Sequence, residues 1–287
     1  MPKRLLKTPP SSRSTLVTGG RGLLGRHLLP LLRRRHSAVT LYEGDVREIS
    51  GLRARHDLVV HLAAKNKVDP ASPHILFDTN VTGTLAVMEY CRRVGARCLF
   101  ASSSGVYRPL GKAGRLDEGA ELNPVTPYGT SKLLAENVCR FFAETHGLTV
   151  TTLRIFNMYG PGQDPDFVVP DLRRQLARSS VVTMRTPHLV RDFVHVRDVA
   201  KAFLAAADLD RPGFLTLNVG TGRGHSIRQV LTLLDGAASI RADEVERTDE
   251  DHVVADIGRI VSLAGWAPAV SLESALRRGR RPGGRKK

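Results

Sequence analysis

The chain has 287 residues, 41% of them hydrophobic and 25% charged, which is enough apolar material for one large or two smaller globular domains. No apolar run reaches the roughly 20 residues of a membrane span, and the N-terminal stretch lacks the apolar segment of a secretory signal, so we expect a cytoplasmic protein with no membrane association. Most of the formal charge of +15 lies near the two ends, in basic tails at 1–14 and 277–287 that we expect to be disordered; no nucleic-acid motif accompanies it, so we expect no specific nucleic-acid partner.

The first unit predicted from the sequence is a strand, a glycine turn and a helix. Residues 15–18 form a short apolar strand, and a helical pattern begins at Leu23. Glycines in such a turn let the backbone approach a pyrophosphate, and the helix N-terminus offers unpaired N–H groups and the positive end of its dipole. A plain turn between two elements is the alternative interpretation. The predicted dinucleotide contacts are Gly19, Gly22, Leu23, Leu24 and Gly25.

The elements that follow alternate between strands and helices. We predict strands at 38–43, 58–63, 98–101 and 148–155, and helices at 73–94 and 126–147. Pro73 and Gly95 bound the first of these helices, and Thr126 caps the second, with Pro127 at its first position. Alternation at this spacing predicts an α/β fold, a doubly wound parallel sheet of the Rossmann type at 15–158, with the glycine turn where a dinucleotide binds.

The second half of the chain has a mixed pattern. We predict helices at 167–179 and 196–208, strands at 181–184 and 214–219, and a further helix capped by Ser226. Residues 159–276 are expected to form mainly a smaller α/β substrate-binding lobe over the carboxyl edge of the sheet, with 190–219 returning to the first domain.

The three cysteines predict reduced core thiols. Cys91, Cys98 and Cys139 lie within apolar patterns and show no CxxC spacing. Disulfides and zinc ligands are therefore the less favoured interpretations, and we predict no metal site.

Tyr128 and Lys132 are four residues apart on one predicted helix, so their side chains share a face. A tyrosine ionises near pH 10, and its use as a base near pH 7 requires a pKa shift of roughly 3 units, or about 4 kcal/mol. A neighbouring ammonium and a positively charged nicotinamide are groups that lower the pKa of a phenol. An ordinary helix pair is the alternative, because this spacing is common.

Eight stretches, in order and spread over about residues 15–275, resemble those of the extended short-chain dehydrogenase/reductase family, in its NAD-dependent epimerase/dehydratase group that acts on nucleotide sugars. They are TGGRGLLG at 18–25, HLAA at 61–64, NVTGT at 80–84, SSSGVY at 102–107, PYGTSK at 127–132, LRIFN at 153–157, RDFVHV at 191–196 and NVGTG at 218–222.

The resemblance implies roles for the matching residues. Tyr128 is the implied acid/base at the sugar hydroxyl, Lys132 holds the nicotinamide ribose and lowers the pKa of the tyrosine, and Ser103 shares the hydrogen bond to the reacting oxygen. Further implied contacts with NAD come from Asp45, Val46, Leu62, Ala63, Ala64 and Asn80. Implied substrate contacts come from Ser103, Ser104, Asn157 and Arg191, whose guanidinium suits a diphosphate, with Arg247 as a weaker second candidate.

The resemblance also implies a homodimer, in which the helices at 74–94 and 126–146 of two chains pair. His195, Asp192 and Asp198 are interpreted as structural residues.

Departures from the family pattern narrow the expected reaction. The sugar 4,6-dehydratases of the family carry an Asp-Glu pair after the catalytic Ser/Thr, where this chain has Ser104 and Gly105. Without those carboxylates, hydride chemistry remains, which means 4-epimerisation or 4-keto reduction. Glu43 ends the second strand 18 residues after Gly25, close to the spacing of the acid that binds the adenosine ribose, and a carboxylate there favours NAD over NADP. A surface glutamate at a strand end is the alternative interpretation.

Two further departures concern the cofactor and substrate ends of the site. Glu43 directly adjoins the Gly44-Asp45-Val46 turn, which in typical members lies a helix and a strand further on, so we expect a sheet one strand shorter than usual. Glu43 and Asp45 are then not both expected to reach the cofactor. Residues 185–190 replace the glycine-rich turn that usually precedes the position of Arg191.

The sequence thus predicts an NAD-dependent nucleotide-sugar 4-epimerase that oxidises and re-reduces C4 of its substrate. The alternatives are an NAD(P)H-dependent 4-ketoreductase of a nucleotide-linked deoxysugar and, from another class, a non-catalytic NAD-binding regulatory protein.

Overall fold

The computed structural model describes residues 11–67, 72–184, 186–236, 238–242 and 252–277, and it divides their strands between one large sheet and two small ones. The strands are β1 (Ser11–Thr18), β2 (His36–Tyr42), β3 (Leu58–His61), β4 (Arg97–Ser103), β5 (Val150–Ile155), β6 (Asn157–Tyr159), β7 (Val181–Met184), β8 (Val190–His195), β9 (Phe214–Val219), β10 (Gly224–Ser226), β11 (Ser239–Ala242) and β12 (His252–Val253). The helices are α1 (Leu23–Arg35), α2 (His74–Phe77), α3 (Gly83–Val94), α4 (Pro127–His146), α5 (Val168–Leu176), α6 (Val196–Ala207), α7 (Ile227–Leu234), α8 (Gly258–Ala264) and α9 (Leu272–Arg277). Arg247 and most of the two basic tails lie outside the described residues.

The large sheet has six parallel strands in the order β2-β1-β3-β4-β5-β9. The usual dinucleotide-binding sheet places one more strand outside β2. Here the chain crosses from β2 to β3 through a single 3-10 helix, Val46–Gly51, which replaces the missing segment. The α/β class, the parallel sheet and its one-strand shortening are therefore confirmed.

Hydrophobic side chains cover both faces of this sheet. The central strand β3 is buried along its whole length. One core packs α1 and α6 against one face, around residues such as Leu28, Leu32 and Phe203. The other core packs α3 and α4 against the opposite face, around Met88 and Phe142. The sheet thus carries helices on both faces, as its continuous apolar strands predict.

Local signals place the two helices that carry the site. Thr126 Oγ1 accepts a hydrogen bond from Gly129 N at 3.1 Å, and α4 ends at Gly147 with φ of +68°. The predicted 73–94 helix is interrupted by a π turn, Asp78–Thr82, between α2 and α3. Gly83 lets α3 approach the 3-10 helix, because a Cβ there would lie 2.5 Å from Val46 Cγ1.

The structure corrects the predicted start of the first strand and shows that one strand lies outside the large sheet. Strand β1 begins at Ser11 rather than at residue 15, because its first residues already pair with β2. Strand β8 lies in a separate sheet, where it pairs with β6, β10 and β12. Within the predicted returning segment 190–219, α6 packs on the core of the large sheet and β9 is its last strand. None of the helices in the described ranges has the length and apolar character that crossing a bilayer requires.

Candidate active site

The glycine turn after β1 forms a tightly packed cradle. Gly19 has φ of +67°, and a Cβ on it would lie 2.5 Å from the backbone N of Ala63. A Cβ on Gly25 would lie 2.3 Å from the carbonyl oxygen of Gly20. Gly22 donates its N–H to Gly19 O at 3.0 Å and leaves the start of α1 without a side-chain cap. The backbone N–H groups of Leu23, Leu24 and Gly25 thus begin the helix directly after Gly22 with no side-chain cap, which fits a bound pyrophosphate.

The loop after β3 brings the next predicted cofactor residues to the same edge of the sheet. Leu62, Ala63 and Ala64 follow β3 directly, and Ala63 lies against Gly19. The buried Asn80 does not point its amide freely into this space. Its Oδ1 accepts from Lys65 N at 2.8 Å, and its Nδ2 donates to Lys65 O at 2.9 Å and to Ser131 Oγ at 2.8 Å. Asn80 therefore holds the loop in place.

At the adenosine end, each of the two acidic candidates is paired with an arginine. Glu43 Oε1 lies 2.6 Å from Arg21 Nη2, and both side chains are exposed beside the glycine turn. Asp45 accepts from Arg47 Nε at 3.0 Å and from Arg47 N at 3.0 Å, and these hydrogen bonds lower the pKa of Asp45 to about 2. Asp45 thus caps the 3-10 helix, while the adjacent Val46 is buried against α3.

Ser103, Tyr128 and Lys132 come together at the carboxyl end of β4 and the first turns of α4. The Ser103 and Tyr128 side chains line the same cavity, and Ser103 acts to lower the pKa of the Tyr128 phenol. Ser103 Oγ also accepts from Gly105 N at 3.1 Å. Lys132 Nζ donates to Ala101 O at 2.7 Å and lies 6.0 Å from the centroid of the Tyr128 ring. The structure therefore brings together the three residues that the sequence selects.

Burial dominates the ionisation of this group. Burial raises the pKa of the Tyr128 phenol to about 12, whereas the neighbouring Ser103 hydroxyl lowers it. Burial lowers the pKa of Lys132 to about 8. The protein alone therefore raises the pKa of the phenol rather than lowering it, because burial outweighs the effect of Ser103.

An elongated cleft leads away from these residues. A cavity of about 730 Å³ is lined by Ser103, Ser104, Tyr128, Asn157 and Arg191. A second cavity, of about 510 Å³, lies between α5 and β7 and shares Asn157 and Arg191 with the first. The two cavities therefore adjoin at Asn157 and Arg191.

The loop between β6 and α5 forms part of the lining of the first cavity. Lys67 Nζ lies 3.0 Å from Asp164 Oδ2 and 2.7 Å from Asp166 Oδ2. Arg26 Nη2, in α1, donates to Gly162 O at 2.9 Å. Ion pairs and a hydrogen bond thus connect the loop between β6 and α5 to the segment after β3 and to α1.

One polar pair beside the site was missed by sequence reasoning. Glu136 and Arg154 are each 1% exposed, and Arg154 Nη2 lies 2.7 Å from Glu136 Oε2. Ser102 Oγ donates to Glu136 Oε1. The available signals were the four-residue spacing of Tyr128, Lys132 and Glu136 on α4, and an arginine inside the apolar run of β5.

The residues interpreted as structural have structural partners. The buried Asp192 carboxylate accepts from Thr221 N at 2.8 Å and from Gly222 N at 2.8 Å. Asp198 Oδ2 accepts from Ala269 N at 2.9 Å and Val270 N at 2.8 Å, and His195 Nδ1 accepts from Arg197 N at 3.2 Å. The three cysteines are buried and unpaired. Among the residues that the structure describes, no cluster of His, Cys, Asp and Glu could hold a metal ion.

Comparison with known proteins identifies relatives along most of the chain. A statistical model of the NAD dependent epimerase/dehydratase family matches residues 15–220. The GDP-6-deoxy-D-mannose reductase of Pseudomonas aeruginosa is 29% identical, covering 91% of this chain and 94% of that protein. The UDP-glucose 4-epimerase of Azospirillum brasilense is 30% identical, covering 90% and 88%. Among solved structures, MoeE5 in complex with UDP-glucuronic acid and NAD superimposes with a TM-score of 0.80 at 29% identity, over 92% of this chain and 96% of that one.

Proposed function

The chain belongs to the NAD dependent epimerase/dehydratase family, and we propose that it catalyses the 4-epimerisation of a nucleoside-diphosphate sugar with NAD as its cofactor. One observation carries the proposal. The side chains of Ser103 and Tyr128 line the same cleft, and the two positions after Ser103, Ser104 and Gly105, offer no carboxylate for dehydration.

The catalytic residues divide the proton chemistry between them. Tyr128 takes the proton of the sugar hydroxyl as C4 is oxidised and returns it as C4 is reduced, while Ser103 shares the hydrogen bond to the same oxygen. NAD, when bound, supplies the hydride acceptor and a positively charged ring. The phenol needs a positive charge nearby to ionise near neutral pH, because burial, partly offset by Ser103, raises its pKa to about 12.

The cofactor residues are assigned along the sheet edge. Gly19, Gly22 and Gly25 make room for the pyrophosphate, which the helix start at Leu23 and Leu24 faces. The nearby Leu62, Ala63 and Ala64 complete that side, with Asn80 holding the loop. Lys132 would hold the nicotinamide ribose. At the adenosine end we assign Glu43 and Val46, with Asp45 acting through the turn that it caps.

The substrate residues lie along the cleft. Asn157 and Arg191 line both cavities, which supports a diphosphate at Arg191 between a sugar near Ser103 and Ser104 and a nucleoside in the second cavity. Arg247 stays a second candidate for the diphosphate on sequence grounds.

A 4-ketoreductase is the second candidate function, and the pairing of Arg21 with Glu43 favours it. The guanidinium neutralises the carboxylate that would repel the 2′-phosphate of NADP. The similarity to a GDP-6-deoxy-D-mannose reductase points in the same direction. A non-catalytic NAD-binding protein is disfavoured, because it has no use for a tyrosine, a serine and a buried lysine arranged in this way.

The nature of the bound cofactor separates the two enzymes. We expect the purified protein to release NAD on denaturation, identified by mass, and to interconvert 4-epimers among UDP-, dTDP- or GDP-sugars without consuming added NADH. Release of NADP, or stoichiometric oxidation of NADPH by a 4-keto nucleotide sugar, would instead establish the reductase. A protein that carries NAD and turns over neither kind of substrate would favour the regulatory alternative.

A homodimer is proposed through the outer face of α3 and α4. Leu85, Leu134 and Phe141 are 43%, 43% and 53% exposed on these helices, and apolar side chains on adjoining helices support a buried interface. We expect two chains per particle in sedimentation equilibrium, and monomers for the variant Phe141→Asp. Val261→Asp, which alters an apolar side chain of similar exposure on α8, should leave the dimer intact. A monomeric wild-type protein would contradict the proposal.

We also propose a cytoplasmic location, supported by three buried cysteines that form no disulfide. Recovery of the native protein from a secreted or membrane fraction would contradict it.

A further inference from the structure

We propose that Glu136, together with Arg154, is a positioning residue for the proposed hydride-transfer site, holding the strand end that carries Ser103 against the helix that carries Tyr128 and Lys132. The inference rests on the proposed function, because it assigns a part in the same reaction. Neither residue lines the cleft, so both act through their neighbours.

The geometry of α4 connects the pair to the site. Tyr128, Lys132 and Glu136 follow one another at intervals of four residues, so they lie on one face of the helix, from the cleft into the core. Glu136 and Lys132 are 1% and 2% exposed. The Glu136 carboxylate is therefore one helical turn beyond the buried ammonium, on the side away from the cleft.

The same carboxylate fixes the end of β4. Ser102 Oγ donates to Glu136 Oε1, and Ser102 directly precedes Ser103. Arg154, in the neighbouring strand β5, donates from Nε to Oε1 at 3.0 Å and from Nη2 to Oε2 at 2.7 Å. One carboxylate thus joins α4 to two adjacent strands, next to the residues that carry Ser103 and Tyr128.

Arg154 is itself held from two sides. Its Nη1 donates to Glu118 O at 3.2 Å, and its guanidinium lies 4.8 Å from the centroid of the Tyr107 ring. Tyr107 belongs to the loop that follows Ser103, and its hydroxyl donates to Asn218 Oδ1 at 2.6 Å. The segment around Ser103 is therefore fixed by this network both before and after the hydroxyl.

Stability alone does not account for such a pair. Replacing a buried ion pair with apolar side chains of similar volume is often neutral or stabilising, because desolvation offsets the attraction of the charges. A purely structural role could thus be filled by hydrophobic residues. The position of the pair, against Ser102 and one turn from Lys132, provides a reason for the charge.

Among the described residues, Glu136 is the negatively charged group that acts on the pKa of Lys132 near neutral pH. Burial lowers the pKa of Lys132, whereas Cys139 and Glu136 raise it. Burial raises the pKa of the Cys139 thiol and the Tyr128 phenol and lowers that of His61 to about 3, so these three groups are uncharged near neutral pH. Loss of the carboxylate charge therefore lets the Lys132 pKa fall further, and the protonated lysine is lost at lower pH.

The test compares a charge-removing variant with one that removes the whole pair. We expect Glu136→Gln to lower kcat by about tenfold with little change in KM. We also expect the alkaline limb of the kcat profile to move to lower pH. Ser102 keeps a hydrogen-bond acceptor in this variant, whereas Lys132 loses the neighbouring negative charge that stabilises its protonated form. The double variant E136M/R154M should stay folded and lose at least as much kcat. Asp198→Asn serves as the control, since it alters another buried carboxylate and should lower stability without moving the limb.

Three outcomes separate the inference from the function on which it rests. A shifted limb with reduced kcat in Glu136→Gln, absent from Asp198→Asn, supports the positioning role. Wild-type kcat and pH profile in a folded E136M/R154M protein overturn it, and leave the proposed function standing if Tyr128→Phe is inactive. Full activity of Tyr128→Phe would overturn the assignment of Tyr128 as acid/base and, with it, the positioning role, but not the epimerase activity that the assay itself detects.

Discussion

The Tyr128→Phe variant is expected to lose about 10³-fold or more in kcat while keeping its bound cofactor, because the substitution removes the proposed general acid/base. The substitution deletes only the hydroxyl group, and Ser103 stays in place at the end of β4. Phenylalanine fills the same space at the head of α4, so the cleft and the glycine turn should be unchanged. The measurements are steady-state turnover of the nucleotide sugar and the NAD content of the purified variant.

Tyr90→Phe is the matched control for this experiment. Tyr90 is a buried tyrosine in the core around α3. Its hydroxyl lies 2.6 Å from His56 Nδ1 and donates to Ala54 O at 2.9 Å. Its loss should cost about 1 kcal/mol of stability and leave kcat unchanged. If Tyr128→Phe turned over substrate at the wild-type rate, Tyr128 would not be the acid/base of the reaction.

The sequence predicts much of this fold because its signals are local. Strand β3 is a continuous apolar run, Thr126 caps α4, and Gly147 ends it with a positive φ, and each of these features is set within a few residues. The short junction at Glu43 likewise predicts the absence of a strand, because no residues remain to build one. Periodicity and caps depend on neighbours along the chain, so they can be read without knowing the packing.

The partners of polar side chains could not be predicted in the same way. Arg21 and Glu43 are 22 residues apart, Asn80 and Lys65 are 15 apart, and Glu136 and Arg154 are 18 apart. Such pairs form only where different elements meet, and nothing in the sequence says which elements will. The place of β8 outside the large sheet could not be predicted for the same reason. Its partner β6 follows β5 after a single residue, Phe156, and β6 pairs with β8 through contacts that are distant in the sequence.

These long-range pairs change the interpretation of the adenosine end more than that of the catalytic end. Asp45 is occupied by Arg47, which leaves Glu43 as the carboxylate at the end of β2. Arg21, which shares the glycine turn with the pyrophosphate site, balances the charge of Glu43. The preference for NAD over NADP therefore depends on whether the cofactor displaces Arg21 from Glu43, whereas the pyrophosphate end depends on backbone packing alone.

The Gly25→Ala variant tests that packing, and we expect it to weaken NAD binding by roughly 100-fold. A Cβ at position 25 would lie 2.3 Å from the carbonyl oxygen of Gly20 and 2.5 Å from its carbonyl carbon, and both are backbone atoms that no rotamer change can move. Relief requires α1 to shift away from the turn, and overpacking of this kind costs roughly 1–3 kcal/mol, which corresponds to about a 5- to 150-fold change in affinity. The upper end applies because the shifted helix start is the proposed pyrophosphate site. Fluorescence titration with NADH measures the affinity.

Gly51→Ala is the control, because a Cβ at that position meets no atom within 4 Å and its φ is not positive. It makes the same chemical change in the same domain, in the 3-10 helix that leads to β3. Its affinity for NADH should equal that of the wild type. Equal affinities for the two alanine variants would show that the cofactor does not depend on the close contact between α1 and the turn, and the pyrophosphate would then have to be assigned to another part of the cleft.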